Sequence, residues 1–101
     1  MIGDLGINGF DWDEANIDHI AFHNVTPEEA EDIFFDPDQV MLDDIKHSTD
    51  KEKRFIVIGK TENKRLLYQV FTIRGDKIRV ISSRDINKKE VIFYEKKINH
   101  S

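Results

Sequence analysis

A β-hairpin is written into residues 65–83, RLLYQVFTIRGDKIRVISS. Its first arm, residues 65–73, is apolar on both faces, which places it in the middle of a sheet rather than at an edge. Gly75 falls at the first central position of Arg74-Gly75-Asp76-Lys77, where a type II′ turn requires a positive φ. The chain returns as KIRVISS, whose alternation sets Ile78 and Val80 on one face and Lys77, Arg79, Ile81 and Ser83 on the other. Upstream, RFIVIG (54–59) is β-branched and aromatic and is joined to the hairpin through the turn TENK. QVMLDDIK (39–46) reads as a weaker strand, followed by the polar loop HSTDKEK. About four antiparallel strands joined as a meander result.

Helical spacing brackets this sheet. In EANIDHIAFH, Ile17, Ile20 and Ala21 recur on one side with Asn16, His19 and His23 opposite. In VTPEEAEDIFFDP, Thr26 is the N-cap, Pro27 takes the first helical position and Glu29 completes a capping box. Ala30, Ile33 and Phe34 form the inner stripe there, and Asp36-Pro37 stops the helix. Near the C-terminus Asn87 and Glu90 set another helix start, with Val91, Tyr94 and Ile98 packing it down. The order of two helices, four strands and one helix predicts an α+β fold, with the helices on one face of an antiparallel sheet. At 101 residues the chain is expected to form a single domain, 1–101. No apolar run is long enough to span a membrane, and MIGDLGINGF lacks the pattern of a signal peptide. The absence of cysteine excludes a disulfide scaffold and thiolate zinc sites and fits a cytoplasmic protein.

Charge divides along the chain. Residues 1–50 carry fourteen Asp or Glu and one Lys; residues 51–101 carry fourteen Lys or Arg and six Asp or Glu, and the whole has a net charge of -5. The halves either neutralise each other within the fold or present two surfaces, a basic one for phosphate and an acidic one for a basic partner. RVISSRDINKKEVIFYE concentrates Arg79, Arg84, Lys88 and Lys89, with Arg74 upstream, at a strand-to-helix junction. A helix N-terminus already attracts anions, so bases there reinforce an existing field. The bland alternative is that Arg84 caps acidic groups of the first half and the lysines are merely solvated. His23, at the end of the first helix, is the candidate for proton transfer near neutral pH. His19 and His23 at i and i+4 have no third ligand in view, so a metal site is not expected. The chain has no Gly-rich phosphate loop, nucleophile elbow or calcium loop.

Four blocks in order, FDWDEAN, HNVTPEEAEDIFFDP, HSTDKEKRFIVIG and IRVISSRDINKKEVIFYE, give the chain a resemblance to the BrnT ribonuclease toxins of type II toxin-antitoxin systems, which have a RelE-like fold. Where members commonly carry Lys or Arg directly before the histidine aligned with His23, this chain has Phe22. The resemblance implies an endoribonuclease that cleaves messenger RNA and inhibits translation until a BrnA-like antitoxin masks it. Toxin and antitoxin would form a hetero-oligomer, or the toxin a homodimer, with DNA contacted only through the antitoxin. Cleavage would need neither metal nor cofactor. A base takes the 2′-OH proton, the oxyanion attacks phosphorus, and cations hold the developing charge. Arg79 and Arg84 are the expected phosphate clamps, with Arg54 joining them unless Glu52 occupies it. His23 is the base or acid, and Lys77, Lys88, Lys89 and His19 contact flanking RNA. The alternative is an inactive module of the same fold that engages a basic protein partner.

Overall fold

The computed structural model describes residues 6–100, without the side chain of His100; the start of the N-terminal arm, residues 1–5, lies outside the described residues. Helices α1 (Glu14–Ala21) and α2 (Pro27–Asp32) precede strands β1 (Val40–Asp43), β2 (Arg54–Lys60), β3 (Leu66–Arg74) and β4 (Lys77–Asp85), and α3 (Lys88–His100) closes the chain. The strands form one antiparallel sheet in the order β1-β2-β3-β4. Gly75 has φ +62° at the β3–β4 turn, while Asp76 keeps an ordinary φ, as a type II′ turn demands.

Local signals set the helix starts. Thr26 and Glu29 exchange both bonds of a capping box, and Asn87 and Glu90 do the same ahead of α3. Asp13 caps α1 with Asn16 as its reciprocal partner. Asn16 corrects the expected polarity of α1, because it faces inward: its side-chain amide donates to the carbonyls of Asp11 and Val80 and ties the helix to β4. Over its described part the N-terminal arm is fastened to the hairpin: Asn8 donates to the carbonyl of Asp76 in the β3–β4 turn, and Gly9 and Asp11 bond to Ile78 of β4 and cover that exposed edge.

The sheet has a core on each face, and this overturns the expectation that all helices share one. Val57, Leu67, Phe71 and Val80 meet Ile20, Ala30, Ile33 and Phe34 from α1, α2 and the 3-10 turn that follows α2. Ile58 and Tyr68, their neighbours of opposite parity, meet Tyr94 of α3 on the other side. A strand apolar on both faces needs both covered, and α3 supplies the second cover. Tyr94 is buried and its hydroxyl donates to Asp36 at 2.7 Å, so it is a packing residue rather than a reactive one. Gly59 permits a close approach: a Cβ there would stand 2.9 Å from both Cβ and the carbonyl oxygen of Ile33. Buried Gln69 donates to the Ala30 carbonyl and accepts from Ser83, joining α2 to the hairpin through polar groups that are all satisfied.

A bulge in β4 corrects the predicted alternation. Phe71 pairs with Val80 and Val70 with Ser82, so Ile81 is the extra residue and the parity of the strand changes after it. Ser83 therefore lies on the Val80 face and is buried, whereas Arg79, Ser82 and Arg84 share the α3 face. No helix of the described residues is long and apolar enough to cross a membrane.

Candidate nucleic-acid interface

Register places the arginines. Arg54 pairs with Thr72 and Thr72 with Arg79, so one row across β2, β3 and β4 carries two guanidinium groups on the α3 face. At strand spacings of about 4.8 Å their Cα atoms lie roughly 10 Å apart. The next position along that face pairs Arg74 with Lys77. Four cations, Arg54, Arg74, Lys77 and Arg79, are thus gathered at the hairpin end of one sheet face. Arg84 stands in the row of Ile58 and Tyr68, about 14 Å further along the strands. The five bases adjacent in sequence are therefore two groups in space, because an extended strand separates what it carries. Arg84, Lys88 and Lys89 form the second group, at the start of α3.

Each guanidinium has a carboxylate. Arg54 Nε donates to Glu52 at 3.0 Å, and none of the described residues bonds its two terminal nitrogens. Glu52 also holds Arg74 at 3.5 Å. Arg79 is more buried than Arg54, Arg74 or Arg84, with its side chain 13% exposed. Its Nη2 donates to Asp13 Oδ1 at 3.1 Å; Nη1 lies 3.0 Å from Asp13 and 3.6 Å from Asp11 but is aligned for a hydrogen bond with neither. Arg84 makes a two-pronged contact with Glu90, 2.9 Å on each prong, and lies 4.2 Å over the ring of Tyr68. Lys88 and Lys89 are exposed, with no ion pair among the described residues. The two halves of the chain thus neutralise each other in part, through Arg79 with Asp13 and Arg65 with Glu29.

These pairs move the acids they engage. The Arg79 hydrogen bond holds Asp13 below the usual carboxylate range, Arg54 does the same to Glu52, and Arg65 does it to Asp85. At Glu90 burial works upward but is outweighed by bonds from Arg84 and the Asn87 backbone. Burial, with help from Glu90 and Asp44, pushes the Tyr68 phenol up. A lowered folded-state pKa contributes stability that is complete above the ordinary value and lost as pH falls through the lowered one. The melting temperature is therefore expected to fall by several degrees between about pH 5 and about pH 2. A flat profile in thermal melts at constant ionic strength would remove these pairs from the account of stability.

Two expected site residues lie elsewhere. His23 follows the C-terminal end of α1; its carbonyl accepts from Arg65, and its imidazole is within electrostatic reach of Asp85, which is on the α1 and α2 face. His19 and Phe22 are exposed beside it. The row of Arg54 and Arg79 is on the opposite face. Among the described residues no group of three or more His, Asp or Glu is arranged to hold a metal ion.

The same face carries a pair that a reading of HSTDKEK as a polar loop passes over. Asp44, buried at the end of β1, accepts from His47 Nδ1 at 3.0 Å and 3.1 Å on its two oxygens. The spacing D-x-x-H just past an apolar strand is the signal that was available for it.

A search of the curated proteins found no match. A family model described as "Ribonuclease toxin, BrnT, of type II toxin-antitoxin system" matches residues 12–90, from Trp12 to the Glu90 that holds Arg84. With most of the chain covered and the α+β architecture in place, the protein belongs to the BrnT family of ribonuclease toxins of type II toxin-antitoxin systems.

Proposed function

We propose that this chain is a metal-independent endoribonuclease that cleaves messenger RNA on the α3 face of its sheet, and that an antitoxin of the BrnA kind neutralises it. The observation that carries the reading is the gathering of Arg54, Arg74, Lys77 and Arg79 on one face of a protein whose net charge is -5. Glu52, Asp11 and Asp13 offset part of that charge, so the attraction for a polyanion rests on Lys77 and on the guanidinium edges that remain unbonded by described residues. Arg54 offers the guanidinium edge that no described residue bonds to a non-bridging phosphate oxygen, and Arg79 stands in the same row, two strands away, for the same or the adjacent phosphate. Arg84, with Lys88 and Lys89, meets the strand further along, and His23 and His19 contact RNA that passes over the β4 edge. The half-buried side chains of Ile56, Val70 and Ser82 lie between the two basic groups. The acidic first half suits a basic antitoxin segment, in a hetero-oligomer that reaches DNA only through the antitoxin. The site of action is the cytoplasm, where the substrate is.

Purified protein incubated with single-stranded RNA in EDTA tests this. Fragments ending in 2′,3′-cyclic phosphate and 5′-hydroxyl are expected. Uncut RNA at high protein concentration would instead support a binding module without activity. A specific feature favours that second reading: Arg54, Arg79 and Arg84 are all engaged by carboxylates of the chain itself.

A further inference from the structure

We propose that His47, held in place by Asp44, is the proton-transfer residue of this site, a role that rests on the ribonuclease reading above. Cyclising cleavage needs a base within reach of the phosphate that the guanidinium groups hold. His23 is on the other face of the sheet from Arg54. The turn that carries His47 is bonded to Arg54's backbone: Asp44 donates its N–H to the Arg54 carbonyl at 2.9 Å, and Ser48 Oγ donates to the Asp44 carbonyl at 2.7 Å and accepts from the Arg54 N–H at 2.9 Å. The alternation Leu42, Asp43, Asp44 against Ile56, Phe55, Arg54 sets the Asp44 carboxylate on the same face as Arg54, Thr72 and Arg79.

The two members of the pair differ in the way a base and its orienter must. The Asp44 side chain is 7% exposed, whereas that of His47 is 58% exposed. Asp44 accepts from the backbone N–H of His47 as well as from the ring, so the turn and the imidazole are fixed together. A carboxylate on Nδ1 selects the tautomer with the proton there and leaves the Nε2 lone pair directed outward. Nε2 takes the 2′-OH proton as the 2′-oxygen bonds to phosphorus and the bond from phosphorus to the 5′-oxygen breaks. The 5′-oxygen takes a proton from water, and the imidazolium returns its own to the hydroxide so formed. Asp44 is a positioning residue, since the described hydrogen bonds of its carboxylate go to the ring and the backbone N–H of His47.

The test compares wild type, His47→Ala, His47→Gln and Asp44→Asn for RNA cleavage, RNA binding and thermal melting. Both His47 variants are expected to lose about 10²- to 10⁴-fold in kcat with KM changed less than about threefold. His47→Gln keeps a donor for Asp44, which guards against simple misfolding. Added imidazole should restore part of the activity of His47→Ala, a recovery that a structural role would not give. Asp44→Asn should lose kcat with little change in KM. If wild type cuts RNA and the His47 variants cut equally fast, or lose activity only by unfolding and without imidazole rescue, the assignment falls while the ribonuclease reading stands. An inert wild type overturns both.

Discussion

Replacing Arg54 with alanine is expected to lower RNA cleavage by about 10²- to 10³-fold, the loss found when one donor to a developing anionic charge is removed, with little change in melting temperature. The two halves of this expectation have separate causes. Arg54 is half-buried and its one described side-chain bond goes through Nε to Glu52, itself only partly buried, so the pair contributes little to folding. No described residue bonds its terminal nitrogens, and the expected loss of rate comes from the phosphate contact proposed for them. Arg54→Lys should recover only part of the rate, because an ammonium is a single point charge and cannot grip two oxygens while remaining bonded to Glu52. Arg79→Ala gives the contrast: it should lose activity and also stability, since Arg79 ties the N-terminal cap of α1 to β4. Quantified fragment yields, with melts of each variant, check both. Wild-type cleavage by both alanine variants would dismiss this face as the active surface.

What could be read from the sequence was what short-range chemistry decides. The β3–β4 turn rests on Gly75 alone, and the starts of α2 and α3 on side chains three residues from the N–H groups they cap, so both were visible before any tertiary contact was known. Features that depend on distant partners were not. The inward turn of Asn16 is set by the carbonyl of Val80, and the bulge at Ile81 by the need to bring Ser83 to Gln69. The placement of α3 opposite α1 and α2 follows from β3 having two apolar faces, a fact present in the sequence, although only the packed structure shows which helix covers which face. The basic group suffered from the same cause. Arg79 and Arg84 are close in sequence, but a strand rises about 3.4 Å per residue, so Arg79 is nearer in space to Arg54, twenty-five positions earlier, through pairing with Thr72.

Phe34→Ala should produce the largest loss of stability of any single change considered, about 3–5 kcal/mol. Phe34 is 1% exposed and lies between Phe10, at a centroid distance of 5.5 Å, and Phe71, at 5.0 Å and nearly edge-on. Phe55 stacks on the same Phe71 at 5.4 Å, so the alanine variant opens a void against the arm and β3, and Phe71, held in its strand and backed by Phe55, cannot move in to fill it. For a domain of this size the total is on the order of 5–15 kcal/mol, and a loss of this kind lowers the melting temperature by more than about 12 °C. The void is on the α1 and α2 side of the sheet, while the proposed site residues Arg54, Arg79 and His47 are on the α3 side. At a temperature where the variant is still folded, its cleavage rate per folded molecule should equal that of wild type, the reverse of the pattern expected for Arg54→Ala. Measuring rate against folded fraction by circular dichroism decides it: a loss of rate in fully folded Phe34→Ala would mean that the two faces of the sheet are coupled and that the α3 face does not act as a rigid platform.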